Sequence, residues 1–285
     1  MIKISGILAT TETDSHGEKL SLKNLETMVS QINRNILLIN DEHDPRNPPN
    51  GRILSAKIVP AENNEFNVEF VGEIFELSSI TYSDIGNREI VQRKIVPDKF
   101  TIISDRGFEN TEDQQLVNDL CNILRTDSKK FNLKKALDPI TILYIAGAFV
   151  IGNIANGFIG AIGTDAYNAL KQKLKEIAEK KKKEKFKFLL DFNFYTHIND
   201  KLIDIEIILS NPYDSEINSF LDDDIILIDQ MVMDIFDKNC NIRKIVFEYA
   251  ERKFTLKYVV DNKGISDPIG EYDKKKYQLS YEGVF

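Results

Sequence analysis

The stretch that organises this chain is residues 139–164, PITILYIAGAFVIGNIANGFIGAIGT, which has no charged side chain over 26 residues. As one continuous helix it would span about 39 Å, more than the roughly 30 Å hydrocarbon core of a membrane. Its eleven Ile, Leu, Phe and Val residues would favour insertion by roughly 3 to 7 kcal/mol. Its five glycines and two asparagines offset part of that gain. The composition therefore predicts an apolar helical segment that is able to associate with a membrane.

Lysines flank this apolar run on both sides, so positive charge does not select one orientation across a membrane. A re-entrant or surface-lying element bent near Asn156 and Gly157, or a helix that inserts only after a trigger, would satisfy both flanks. The alternative is a buried hairpin in the core of a soluble protein. In the membrane interpretation, the lipid-contacting residues of the run are Ile151, Ile154 and Phe158.

The segment after Thr164 has the pattern of a basic amphipathic helix. Its apolar residues recur at helical spacing, at Tyr167, Leu170, Leu174 and Ile177. Nine lysines lie between positions 171 and 187, against three glutamates. Next to an apolar run, this pattern is typical of an element that binds anionic lipid, although a solvated connecting helix is the alternative. The lysines predicted to bind the membrane are Lys180, Lys181, Lys182 and Lys183.

Composition limits the class of protein. The 285 residues carry a net charge of −8 although the middle of the chain is basic, so the flanking parts are acidic and a nucleic-acid partner is not expected. Cys121 and Cys240 support neither a disulfide framework nor a cysteine zinc site. The opening apolar run is too short for a signal peptide. We therefore expect a cytoplasmic protein, associated with the inner face of the cell membrane, without a cofactor.

Periodicity along the chain predicts an α+β fold in three parts. Residues 1–125 read as a β-rich domain with few helices, including a pair of strands around Asn63 and Asn64. Residues 126–186 hold the apolar run and the basic helix. Residues 187–285 read as a β-β-α-β-β domain, a small antiparallel sheet with one helix on a face. Its first strand, FKFLLDFNFYTHI, alternates apolar and polar residues as a strand with one exposed face does.

One motif order in the first part suggests a family. GILA is followed by DSHGE, a helix, LLINDEHDPRNPPNGRI, two strands and TIISDRGF. This order resembles the tailed-phage prohead (capsid-maturation) serine proteases over roughly residues 2–110. The resemblance implies that His43 is the catalytic base, Ser104 the nucleophile and Asp138 the third member of the triad. The serine motif is one residue longer than the family pattern, and an SSITYSDIGN insertion separates His43 from Ser104.

Without the family resemblance, the residues around His43 do not favour a catalytic role for it. Asp41, Glu42 and Asp44 flank it, and their charges would raise its pKa, whereas a general base needs the neutral imidazole near pH 7. The same cluster lacks the spacing of a calcium-binding loop. The consecutive aspartates 222–224 read as solvated side chains. No metal site is predicted.

Three functions remain open on these grounds. The first is a membrane-directed effector of a bacterial phage-defence or conflict system, in which the prohead-protease-like domain senses or processes and the centre acts on the membrane. The second is an active serine endopeptidase with a membrane anchor. The third is a soluble, non-catalytic binding or assembly protein with a buried central hairpin. The expected partners are an anionic membrane surface and a phage capsid-related protein or a second copy of the chain.

Overall fold

A computed structural model describes residues 2–13, 19–40, 44–75, 83–86, 88–90, 100–130 and 140–268. These residues form two sheets and several helices, so the predicted mixture of helices and strands is confirmed. The chain divides into two compact units. The first comprises Met1–His43, Asn47–Lys94 and Val260–Asp267, and the second comprises Asp44–Arg46, Ile95–Val259 and Pro268–Phe285.

The first unit is a five-stranded sheet with one helix among its described residues. In chain order its elements are β1 (Ile2–Thr10), α1 (Leu22–Arg34), β2 (Asn35–Ile39), β3 (Gly51–Pro60), β4 (Phe66–Ile74) and β5 (Glu89–Ile90). The strand order is β1-β4-β3-β2-β5, and every pair is antiparallel except β2 with β5. The β3–β4 pair turns at Asn63 and Asn64, both with positive φ, so that predicted hairpin is confirmed.

Helix α1 joins this sheet through an amphipathic face. The Ser21 side chain caps its first turn by accepting the Asn24 N–H at 3.2 Å. Leu25 and Ile32 are buried together with Val68 of β4. Ile53 of β3 belongs to this core, so its neighbour Arg52 lies on the other face of the sheet, where its Nε donates to the buried Glu73 Oε1 at 2.7 Å. Arg52 donates further to the carbonyls of Ser83 and Lys263, so each of its three nitrogens makes a hydrogen bond.

The second unit is built on an eight-stranded sheet. Its elements are β6 (Thr101–Ser104), α2 (Thr111–Leu124), β7 (Ser128–Lys130), β8 (Ile140–Ala148), α3 (Ile154–Ile162), α4 (Thr164–Lys183), β9 (Lys187–Ile198), β10 (Lys201–Ser210), α5 (Asp214–Asn218), α6 (Ile228–Lys238), β11 (Ile242–Ala250) and β12 (Lys253–Asp261). Strand β13 (Ser266–Pro268) completes the sheet, and the boundary between the two units divides it after Asp267. The strand order is β13-β12-β11-β10-β9-β8-β6-β7. The chain passes back into the first unit at Val260, near the end of β12. A large apolar core joins one face of the sheet to α2–α6.

The described part of the apolar run is a strand followed by a short helix, so the predicted helical segment is wrong over β8. Its first half is β8, whose near-continuous apolar sequence suits a strand buried on both faces. A turn at Gly152, with φ of 80°, then redirects the chain into α3. The Asp229 carboxylate accepts the N–H groups of Gly152 at 2.7 Å and Ile154 at 3.0 Å and so caps α3. Within the part of the chain that the structure describes, no helix has both the length and the apolar character needed to cross a membrane.

The observed boundaries differ from the three parts read from sequence. Strand β6 and helix α2 lie before residue 125 but belong to the second unit. The stretch 126–186 is not separate, because β8, α3 and α4 pack into the core of the same unit. The β-β-α-β-β order after residue 187 is present as β9, β10, α5–α6, β11 and β12. These strands continue the large sheet, and β10 pairs with β11 in parallel because the connection crosses over through helices.

Candidate functional site

The predicted catalytic triad is represented by one residue in the described part of the chain. Ser104 ends β6, where it pairs with Leu143 of β8, and only 5% of its surface is exposed. His43 and Asp138 lie outside the described residues. The serine-peptidase geometry therefore stays a prediction.

The residue after Ser104 takes part in a buried network that joins β6 to β8. Asp105 accepts the Ile142 N–H at 2.6 Å and the Gly107 N–H at 2.9 Å. Burial raises the pKa of this carboxyl group to about 6, although the two backbone donors oppose that shift. Asp105 thus connects the end of β6 to the neighbouring strand β8 through its carboxylate.

Two of the four lysines that were predicted to bind lipid are engaged inside the second unit. Lys181 is buried, and its Nζ donates to Asp113 at 2.5 Å, to the Gly107 carbonyl at 2.7 Å and to Glu184 at 3.0 Å. Lys180 Nζ lies 2.9 Å from the other oxygen of Asp113. Both amines hold α4 against α2, so neither is presented to a membrane in this structure.

The other two lysines of the run point outward. Lys183 is 73% exposed, and its Nζ lies 2.8 Å from Glu179 on the same helix. Lys182 Nζ lies 3.2 Å from the centroid of the Tyr213 ring. Lys182 also lines the pocket of about 770 Å³ described below.

The apolar residues predicted to contact lipid build the core. Ile154 and Phe158 are fully buried, and Ile151 is partly buried against the same core. The Phe158 ring lies 5.5 Å from Phe100 and 5.7 Å from Phe194 between ring centroids, with near-perpendicular planes. Edge-to-face packing of this kind stabilises an interior. In this structure these side chains therefore have a structural role.

The polar face expected for β9 is also buried. Asn193 donates its amide to Asp204 at 2.9 Å and to Glu206 at 3.2 Å, and Lys244 Nζ lies 2.7 Å from Glu206. Asn193, Asp204 and Glu206 are each at least nine-tenths buried. The alternation in sequence correctly separates two faces, but the predicted exposure is wrong because the polar side chains bind one another. In the described ranges, no group of three metal-binding side chains has the arrangement of a metal site.

A pocket of about 770 Å³ lies at the carboxyl ends of the parallel strands β10 and β11. In open α/β sheets, ligands bind outside the carboxyl ends of the parallel strands. The residues that line the pocket come from the end of α4, the β10–α5 loop, α5 with the following π-helix, and the β11–β12 turn. They are Lys182, Lys185, Phe186, Ser210, Asn211, Tyr213, Ser215, Glu216, Ser219, Ala250, Glu251 and Arg252.

Glu216 holds two sides of this pocket together. Its carboxylate accepts the Tyr213 N–H at 2.9 Å and the Glu251 N–H at 3.2 Å. The first bond fixes the loop before α5, as a glutamate in the first turn of a helix commonly does. The second bond fixes the turn between β11 and β12, where Glu251 and Arg252 have positive φ. The pocket is therefore built in advance of any ligand.

The π-helix Ser219–Asp224 forms a further wall. Such segments occur often at functional sites. Arg252 lies 3.0 Å from Asp223, and the Tyr249 hydroxyl donates to Asp224 at 2.6 Å. Asp223 and Asp224 thus anchor the β11–β12 turn and balance the charge of Arg252, while Asp222 and Asp223 are exposed as the sequence suggested.

Ser210 connects the pocket to a polar network on the strand ends. Its hydroxyl accepts a hydrogen bond from Arg46 at 2.8 Å and donates one to Glu248 at 2.9 Å. Burial would raise the pKa of Asp44, but its bonds with the Arg46 guanidinium hold that pKa down at about 2. The network keeps Ser210 in a fixed orientation.

Two positively charged side chains of the pocket have no carboxylate partner among the described residues. Lys185 has no ion-pair partner among the described residues, and the only contact of the Lys182 amine there is the Tyr213 ring. Glu216 is bound to two backbone N–H groups and Arg252 is bound to aspartate. The exposed Glu251 is the acidic side chain on the rim. Two free amines next to hydroxyl groups can bind an anion.

Comparisons of this chain with protein-family models, with curated proteins and with solved structures found no match. The resemblance to prohead proteases therefore stays a hypothesis that rests on the motif order alone. Sequence reasoning missed Lys185, Tyr213 and Glu216, because Lys185 stands 28 residues before Tyr213 in the chain. The available signal was the run from Tyr213 to Glu216, YDSE, which reads as the start of a helix.

Proposed function

We propose that the chain is a non-catalytic binding protein whose second unit takes a small anionic ligand in the pocket beyond β10 and β11. The observation that carries the proposal is the pair Lys182 and Lys185, two exposed amines without an ion-pair partner in the described residues, on the wall of a preformed cavity. The volume of about 770 Å³ lies within the range of about 300–1,000 Å³ that small-molecule sites occupy.

The lining residues of this pocket do not include a nucleophile with an adjacent base. The serines have no histidine beside them in the lining, and Glu216 is held by backbone donors. A nucleophile needs an adjacent base or a lowered pKa. Binding is therefore the function that this arrangement favours.

Ile154, Phe158 and Lys181 are buried and so do not form a membrane-binding surface in this structure. Binding at the pocket therefore explains the second unit better than binding to a membrane. The effector and serine-endopeptidase hypotheses stay predictions, because the triad falls largely outside the described residues. The third hypothesis, a binding or assembly protein with a buried centre, agrees best with the contacts described above.

The test is isothermal titration calorimetry with pyrophosphate at low ionic strength. A hydrogen bond to a charged group contributes about 1.5–3 kcal/mol, so Lys182→Gln and Lys185→Gln should each weaken binding about tenfold or more. Lys183→Gln is the matched control, because it removes the neighbouring amine outside the pocket and should leave affinity unchanged. Glu251→Gln should strengthen binding. Equal effects of all three lysine variants, or no measurable binding, would refute the proposal.

A further inference from the structure

Two aromatic rings with large exposed fractions line the same pocket as the free amines. Tyr213 is 61% exposed and Phe186 is 42% exposed. We propose that the ligand is a phosphate ester that carries a flat ring, as in a nucleotide, with the ring on Tyr213 and the phosphate at Lys182 and Lys185. This inference rests on the proposed anion-binding function and narrows its ligand class.

The phosphate end of the site is defined by amines and hydroxyls. Lys182 lies in the last turn of α4 and Lys185 just after it, and Ser215 of α5 and Ser219 of the π-helix line the same cavity. Ammonium groups bind phosphate as point charges, and hydroxyls donate further hydrogen bonds to its oxygens. Carboxylates at this end are already used, because Glu216 accepts two backbone N–H groups.

The ring end of the site is defined by Tyr213. Its backbone is fixed by the bond from its N–H to Glu216, so the phenol ring projects from an anchored loop. The Lys182 amine lies 3.2 Å from the centroid of this ring. A phosphate would attract this amine, and the 61% exposure of Tyr213 leaves ring surface on which a flat group can stack. Stacking on an aromatic side chain tolerates many rings, because every such ring presents a π face.

Lys182 therefore contacts both ends of the proposed ligand. The amine that neutralises the phosphate is the one that touches the stacking ring. A molecule that links ring and phosphate can make both contacts at once, and the second contact is then intramolecular. This geometry predicts that ADP binds more tightly than either of its parts.

The experiment compares ADP, pyrophosphate and adenosine by calorimetry on the full chain. ADP should bind at least about tenfold more tightly than pyrophosphate and than adenosine, and Tyr213→Leu should remove the advantage over pyrophosphate. Tyr213→Phe retains the π face and should keep that advantage. A circular-dichroism spectrum of each variant establishes that the fold is retained.

The outcomes separate the two proposals. If pyrophosphate binds through Lys182 and Lys185 as tightly as ADP, and Tyr213→Leu has no effect, the ring inference is wrong and the anion site stands. If adenosine binds as tightly as ADP, charge is irrelevant and both proposals fail. If none of the three ligands binds, both proposals are refuted as well.

Discussion

The burial of Lys181 yields the sharpest prediction about the basic helix. Replacing it with methionine removes an amine that touches Asp113, the Gly107 carbonyl and Glu184. Breaking a buried ion pair by deleting one partner costs about 3–5 kcal/mol, because the other charge stays buried. Asp113 keeps Lys180 at 2.9 Å and the Asn110 amide at 2.5 Å. Because Asp113 keeps these two partners, we expect Lys181→Met to lower the unfolding free energy by about 3 kcal/mol, the lower end of that range.

The measurement is urea unfolding followed by far-ultraviolet circular dichroism at pH 7. Lys183→Met is the matched control, since its amine is exposed and pairs only along the helix, and such pairs contribute about 0.3–0.5 kcal/mol. In a double-mutant cycle, adding Asp113→Leu to Lys181→Met should restore part of the stability, because no buried charge then remains unpaired.

A membrane-binding role for Lys181 makes the opposite prediction. The variant would then lose affinity for anionic vesicles and keep its stability. If Lys181→Met is no less stable than Lys183→Met, the reasoning from burial is wrong.

Two further predictions concern the core and its pH dependence. Phe158→Ala should lower the unfolding free energy by about 3–5 kcal/mol. Val150→Ala is the control in the same apolar run; Val150 is 74% exposed, so this change should alter the unfolding free energy by less than about 0.5 kcal/mol. Similar values for the two variants in urea titrations would contradict the core assignment. Since burial raises the pKa of Asp105 from 3.8 to about 6, its contribution to stability is present at low pH and is lost as the pH rises through the folded value. The unfolding free energy of wild type minus that of Asp105→Asn should therefore fall by up to about 3 kcal/mol between pH 4 and pH 7.5, and a constant difference would count against this assignment.

Elements with strong local periodicity could be predicted from sequence. Helix α4 shows its buried face through Tyr167, Leu170, Leu174 and Ile177, and the structure buries all four. The turn at Asn63 and Asn64 could be predicted because asparagine accepts positive φ. In both cases the information lies within a few neighbouring residues.

The apolar run could not be assigned in this way. A continuous apolar sequence suits a buried strand as well as a helix, so composition over 139–164 does not decide between them. Its division depends on Asp229, which caps α3 from 75 residues further along the chain. Gly152 and Gly163, both with positive φ, were the local signs of a break.

The pocket and the burial of Lys181 depend on long-range contacts. Lys181 meets Asp113 across 68 residues, and a lysine run alone reads as a solvated face. Tyr213 and Arg252 lie in one cavity because β10 and β11 run in parallel and end together. No spacing in the sequence brings these residues together.

The first unit is built from chain segments that are far apart in sequence, so its parts leave the ribosome at different times. The Lys263 carbonyl that accepts from Arg52 follows it by 211 residues, and Gly264 lies so close to Ile36 that a side chain there would clash. At about 5–20 residues per second, that segment leaves the ribosome on the order of 10–40 s after Arg52. During this interval the nascent first unit holds a guanidinium without its last acceptor. The first unit can thus begin to form before strands β6–β11 have left the ribosome, whereas its segment 260–267 joins it only after they have emerged.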